Sequence, residues 1–167
     1  RIFGEVSPTM GVDRLGGSID SMGDLDGDGV GDFVAGAAFA GTPFIFDLSP
    51  ERGSIVFFSG ATGTEIRRTH GPVGRAVAFP GTDFPADYGS FGTYVDAKGD
   101  VNGDGVNDVL VGSFNRWRNR RNGGAESVVS GKTGEILYDL ELGDWTNMQS
   151  SEYGIRGGGL GDLDGDG

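Results

Sequence analysis

The sequence predicts an all-β protein assembled from repeated four-stranded antiparallel units. Three observations predict it. The stretch "GDLDGDGVGD" at 23–32 returns as "GDVNGDGVND" at 99–108 and begins again as "GDLDGDG" at 161–167. The flanks of these copies repeat in the same register. No segment carries the 3.6-residue apolar period of an amphipathic helix, whereas short apolar or alternating runs bounded by glycine-rich turns recur.

The unit can be laid out strand by strand. An apolar residue followed by glycine stands nine residues before each first aspartate, at Leu15-Gly16, Phe91-Gly92 and Tyr153-Gly154. In the first unit "SIDSMG" precedes the acidic stretch and "DFVAGA" follows it, as strands one and two. Twelve residues after the first aspartate a glycine punctuates the second apolar run, at Gly36 and Gly112. "GSIVFFSG" and "TEIRRT" supply strands three and four, with "SGATGTE" as a tight hairpin connection and "SGKTGE" in its place in the second unit. Four antiparallel strands repeated at a long period is the pattern of β-propeller blades. The repeats are spaced by 76 and 62 residues. The second-to-third-strand connection is five residues longer in the first unit and the connection after the fourth strand is nine longer, so the acidic half keeps its length. The expected division is blade one with its following connection at 1–86, blade two at 87–150, and the start of a third at 151–167. Repeat folds need about three or more units to bury their faces, so the chain is expected to be a piece of a longer protein.

Composition narrows the function. The 167 residues suit one domain of ordinary size, and the net charge of −12 argues against a nucleic-acid partner. Glycine is abundant at 34 residues, but without a G-X-Y period. No apolar run approaches the ~18 residues that span a bilayer, so no membrane insertion is expected in this segment. Cysteine is absent and no disulfides staple the fold.

The acidic stretch carries the chemistry. Asp24, Asp26, Asp28 and Asp32 put four carboxylates within nine residues, and like charges so close open a loop or protonate unless a cation joins them. Ca²⁺ takes six to eight hard oxygen ligands at ~2.3–2.6 Å. Positions 1, 3 and 5 converge if the chain coils tightly, which glycines at positions 4 and 6 permit. The expected ligands are Asp24, Asp26, Asp28, the Val30 carbonyl and Asp32 in the first loop. In the second they are Asp100, Asn102, Asp104, the Val106 carbonyl and Asp108. The third begins with Asp162, Asp164 and Asp166. Asn102 offers a neutral oxygen, so the second site is expected to bind more weakly. The competing reading is an acidic, solvated turn, which three copies in register disfavour. Mg²⁺ prefers fewer carboxylates and more water, and softer metals would find no cysteine and one histidine.

An EF-hand or dockerin loop would close with an acid at position 12 and continue into a helix. Here position 12 is Ala35 or Val111, inside an apolar run, and the closing acid stands at position 9. β-Roll repeats recur every nine residues, which these do not. With "FG" at 91–92, the loop at 100–108 and "LVGSF" at 110–114, the chain resembles the FG-GAP repeat of integrin α-subunit β-propellers and their bacterial relatives. Leu15 and Tyr153 stand where that family has Phe, and neither "GAP" position has its proline. The resemblance implies a seven-bladed ring, calcium loops between the first two strands of each blade on one face, and partner-binding loops on the opposite face. Those loops would be Phe39–Arg52, Thr69–Tyr88, Asn115–Gly123 and Gly143–Glu152.

The one basic run, "NRWRNRRN" at 115–122, falls in such a loop. Arg116, Trp117 and Arg118 offer a contact for an anionic glycan or protein, with the tryptophan as anchor, against the plainer reading of a solvated loop balancing an acidic chain. Trp145 falls in another and serves equally well for packing between blades. His70, beside Gly71-Pro72, reads as a loop residue. No G-x-S-x-G, H-E-x-x-H or Walker loop is present. The expectation is a non-enzymatic, calcium-binding segment of a secreted or cell-surface protein, recognising an extracellular protein or glycan ligand as in adhesion. The alternative is an accessory propeller module of an extracellular hydrolase or lyase.

Overall fold

A computed structural model describes residues 6–7, 11–40, 53–72, 90–114, 117–118, 121–122, 124–141 and 158. Two four-stranded antiparallel sheets dominate them, as expected of propeller blades. The first contains β3 (Ile19–Gly23), β4 (Asp32–Ala37), β5 (Ser54–Phe58) and β6 (Glu65–His70) in sequential order. The second contains β7 (Ser90–Gly99), β8 (Asp108–Phe114), β11 (Ala125–Val129) and β12 (Ile136–Glu141), again each beside the next. Two short hairpins complete the set, β1 (Val6–Ser7) with β2 (Gly11–Val12) and β9 (Trp117–Arg118) with β10 (Arg121–Asn122). The four runs expected as strands in the first unit are the four strands found. One reading changes: His70 closes β6 opposite Ser54 rather than lying in a loop, because the ladder continues to the last residue before the Gly71-Pro72 break, where proline lacks the N–H.

Strand composition follows burial. β5, "SIVFF", is buried at every residue, and a strand covered on both faces needs no alternation. β11, "AESVV", alternates buried with half-buried, so only one of its faces is closed. The main core lies between the sheets. Met22, Val34, Ile55 and Phe57 of the first meet Phe91, Val95, Ala97, Val109, Val111 and Val129 of the second. A smaller cluster of Ala35, Val56 and Phe58 with Leu15 and Phe33 covers the other face of the first sheet. There the Phe33 and Phe58 rings stack at 5.3 Å.

Glycine sets how closely the sheets approach. A Cβ on Gly36 would stand 1.9 Å from the Gly92 carbonyl oxygen, and one on Gly92 2.4 Å from that of Ser54. Polar bonds cross as well. The Val95 amide donates to Ser18 Oγ at 3.0 Å and the Ala97 amide to Asp20 Oδ2 at 3.0 Å. The Thr69 hydroxyl donates to the Gly134 carbonyl at 2.7 Å, and Arg67 donates to the Lys132 carbonyl.

Candidate metal centre

The acidic stretches connect β3 to β4 and β7 to β8, at the same end of each sheet as the β5–β6 and β11–β12 hairpins. Each coils as its glycines require. Gly27 and Gly29 have φ of 80° and 86°, and Gly103 and Gly105 have 73° and 86°, values costly for any residue with a Cβ. A tight coil without side chains at positions 4 and 6 lets the side chains at positions 1, 3 and 5 of the first loop converge.

Hydrogen bonds show the same coil built twice. The Gly29 amide donates to Asp24 Oδ2 at 2.9 Å, and the Asp28 amide to Asp24 Oδ1 at 3.1 Å and to Asp26 Oδ1 at 3.2 Å. In the second loop the Gly105 amide donates to Asp100 Oδ2 at 2.7 Å, and the Asp104 amide to Asp100 Oδ1 at 3.1 Å and to Asn102 Oδ1 at 3.0 Å. Position 5 accepts from position 7 in both: Val30 to Asp28 at 2.8 Å and Val106 to Asp104 at 3.0 Å. Asn102 therefore fills the structural place of Asp26 with one negative charge fewer.

Asp24, Asp26 and Asp28 are exposed, and each offers a carboxylate oxygen within 4.8 Å of the others. Oxygens bound to one ion at ~2.4 Å lie no more than about 4.8 Å apart, so these three are spaced for a shared hard cation. The second loop brings Asp100, Asn102 and Asp104 together through the matching bonds. Lys132, whose counterpart is Ala61, reaches from its hairpin to donate to the Asp104 carbonyl at 3.3 Å.

The ninth position behaves differently. Asp32 and Asp108 are each only 2% exposed. Asp32 Oδ2 accepts from the amides of Leu25 at 2.6 Å and Asp26 at 3.3 Å, while Oδ1 accepts from Gly60 at 2.9 Å. Asp108 repeats this with Val101 at 2.9 Å, Asn102 at 3.2 Å and, through Oδ1, Gly131 at 3.1 Å. These carboxylates brace the loop to the neighbouring hairpin, whatever else they bind. The hairpin must come close for that. A Cβ on Gly60 would stand 1.9 Å from the Gly31 carbonyl oxygen, and one on Gly131 1.9 Å from that of Asn107. Sequence reasoning took "SGATG" and "SGKTG" only as turns; the signal for their second role was the recurrence of Ser-Gly right after the third strand in both units.

Among the remaining expected residues, Trp117 and Arg118 lie in β9, so the basic run forms a two-rung hairpin with Arg121 and Asn122 in the β8–β11 connection. Arg116, Trp145, Asp162, Asp164 and Asp166 lie outside the described residues. Beside the loop base, the Tyr94 hydroxyl donates to Asp96 Oδ2 at 2.9 Å and Lys98 Nζ donates to the same oxygen at 3.1 Å. Burial, then the hydrogen bond to Asp96, push the Tyr94 phenol up to about 12.

No family model matches the chain, and no curated protein matches it.

Proposed function

We propose that the chain is a calcium-stabilised β-propeller segment of a secreted or cell-surface protein, of the FG-GAP type that its motifs resemble. The carrying observation is the acidic coil built twice with one hydrogen-bond pattern, in the first case with three carboxylates spaced for one cation. The donors are oxygens only, from carboxylate, amide and backbone, the chemistry that selects Ca²⁺ over soft metals. Asp24, Asp26 and Asp28 with the Val30 carbonyl and Asp32 would hold the first ion. Asp100, Asn102 and Asp104 with the Val106 carbonyl and Asp108 would hold the second.

The ion's role in this reading is structural. It binds the folded coil and not the unfolded chain, which adds about 2.7 kcal/mol at a hundredfold excess over Kd. Millimolar extracellular calcium suffices even for a weak site. The carboxylates serve the cation rather than catalysis. Connections at the opposite ends of the sheets are left to recognise a protein or glycan ligand, with Arg116, Trp117, Arg118 and Trp145 as the contacts.

Thermal unfolding in Ca²⁺ and in EDTA tests the metal reading. The melting temperature is expected to be several degrees higher with calcium, and an unchanged value would sink it. Binding to a glycan array or to extracellular-matrix proteins that survives replacement of Arg116, Trp117 and Arg118 by alanine would remove the basic hairpin from the recognition site.

A further inference from the structure

The two acidic loops share one coil but not one charge. The first holds the carboxylates of Asp24, Asp26, Asp28 and Asp32; the second holds those of Asp100, Asp104 and Asp108, with Asn102 at the place of Asp26. The hairpins that close over them differ as well. Asp32 takes the Gly60 amide and Asp108 the Gly131 amide, so both hairpins approach alike. The next residue is Ala61 in the first hairpin and Lys132 in the second. Lys132 Nζ donates to the Asp104 carbonyl at 3.3 Å. Asp104 is also the residue whose carboxylate is expected to hold the second ion. Ammonium and ion would therefore share one residue, one at its carbonyl and the other at its side chain.

The root of this lysine is held from several sides. The Gly131 amide before it donates to Asp108 Oδ1 at 3.1 Å. Arg67 of the first sheet donates to the Lys132 carbonyl. Thr69, on the same strand as Arg67, donates to the Gly134 carbonyl at 2.7 Å. The turn is closed on itself by the Gly134 amide, which donates to the Ser130 carbonyl at 2.8 Å. A lysine stem is flexible, but its backbone here is fixed between the first sheet and the second acidic loop, so the charge stays beside that loop.

We infer, on the calcium reading proposed above, that Lys132 is a tethered counter-cation that weakens Ca²⁺ binding at the second loop, so that the two loops fill in order. Affinity in oxygen-ligand loops follows ligand charge count and rigidity. The amide of Asn102 removes one negative charge, and the ammonium offsets another. In a water-like dielectric, one positive charge within ~5–10 Å of a divalent ion changes its affinity roughly three- to tenfold at low ionic strength. With no ion bound, the same ammonium relieves repulsion among Asp100, Asp104 and Asp108. The first loop has Ala61 at that place and gains neither effect. It fills first as calcium rises, and the second empties first as calcium falls.

Calcium titration of the full chain, followed by amide NMR, separates the loops, because Gly29 and Gly105 each donate to the first carboxylate of their own loop. Gly29 is expected to report the tighter site. At low salt, Lys132→Gln is expected to tighten binding at Gly105 about three- to tenfold and to leave Gly29 unchanged. Lys132→Arg keeps the charge and should keep the wild-type affinity at Gly105. Ala61→Lys, the reverse change, should weaken binding at Gly29. Ala61 already stands at this place in the first hairpin, so loss of the lysine should leave the fold intact. In about 0.5 M salt the gap between wild type and Lys132→Gln should shrink. An unchanged affinity at Gly105 in Lys132→Gln overturns the proposal. So does equal tightening at Gly29, the mark of a general charge effect, or a gap that salt leaves intact, the mark of a lost structural bond. If neither amide responds to Ca²⁺ the calcium reading itself falls, whereas responses at both that ignore Lys132 sink this proposal alone.

Discussion

Replacing Asp32 by Asn separates the brace from the cation. Asp32 is 2% exposed, and its two oxygens take backbone amides from the acidic loop at 2.6 Å and from the hairpin at 2.9 Å. The Asn side chain keeps one oxygen and sets an NH₂ group against an N–H on the other side, so one charge-assisted bond is lost in a buried place. Such a bond contributes about 1.5–3 kcal/mol. At roughly 2–4 °C per kcal/mol for a chain of this size, the melting temperature should fall by about 3–12 °C. The assay is thermal unfolding by circular dichroism in excess EDTA, where cation binding contributes nothing. Asp26→Asn is the control. Asp26 is exposed, and Asn102 already makes the equivalent bond to the Asp104 amide at 3.0 Å, so its change should cost less than 1 °C in EDTA. A loss under 1 °C for Asp32→Asn, or equal losses for the two variants, would refute the division of labour between buried and exposed aspartates.

Other outcomes follow from the same geometry. Gly131→Ala puts a Cβ 1.9 Å from the Asn107 carbonyl oxygen, so the hairpin must withdraw from Asp108, and a stability loss of about 2 kcal/mol or more is expected in denaturant titration. Asn102→Asp adds a carboxylate to the second loop; calorimetric titration should show tighter calcium binding there, and an unchanged affinity would remove that residue from the coordination set. The Tyr94 phenol is held up to about 12 by burial and by Asp96, above the unfolded value of about 10. Its contribution is therefore fully present below pH 10 and lost as pH rises through the folded value. Tyr94→Phe should flatten the stability curve between about pH 10 and 12, where a curve as steep as wild type would contradict the assignment.

Much of this was legible in the sequence. "SIDSMG", "DFVAGA" and "GSIVFFSG" each contain a strand found, and "TEIRRT" covers all of β6 but His70, because glycine punctuation and apolar runs are local signals. The coil was legible too, since glycines at positions 4 and 6 and oxygens at odd positions are properties of nine consecutive residues. What could not be read was contact between distant segments. Nothing local to "SGATG" says that Gly60 must accept the close approach of the Gly31 carbonyl, or that Asp32 reaches across 28 residues to its amide. Asp20 and Ser18 resemble ordinary polar residues of a half-exposed strand, yet they hold amides 77 residues away. The basic run suggested only a loop; that it pairs Trp117 with Asn122 across a short ladder depends on backbone geometry that composition does not encode.

The two ends of each sheet differ in how much length they can absorb. At the loop-and-hairpin end, the carboxylates of Asp32 and Asp108 must each meet particular amides of the acidic loop and of the hairpin, and the two copies make the same bonds. One inserted residue there would break the count. Among the described residues the far end shows no such ruler, and the stretch from Gly36 to Gly53 is already five residues longer than that from Gly112 to Gly124. Foreign peptides grafted into the 41–50 stretch would therefore hang from a frame that does not register their length. In the same way, descent from a common repeat would accumulate insertions on one rim of the molecule and almost none on the other.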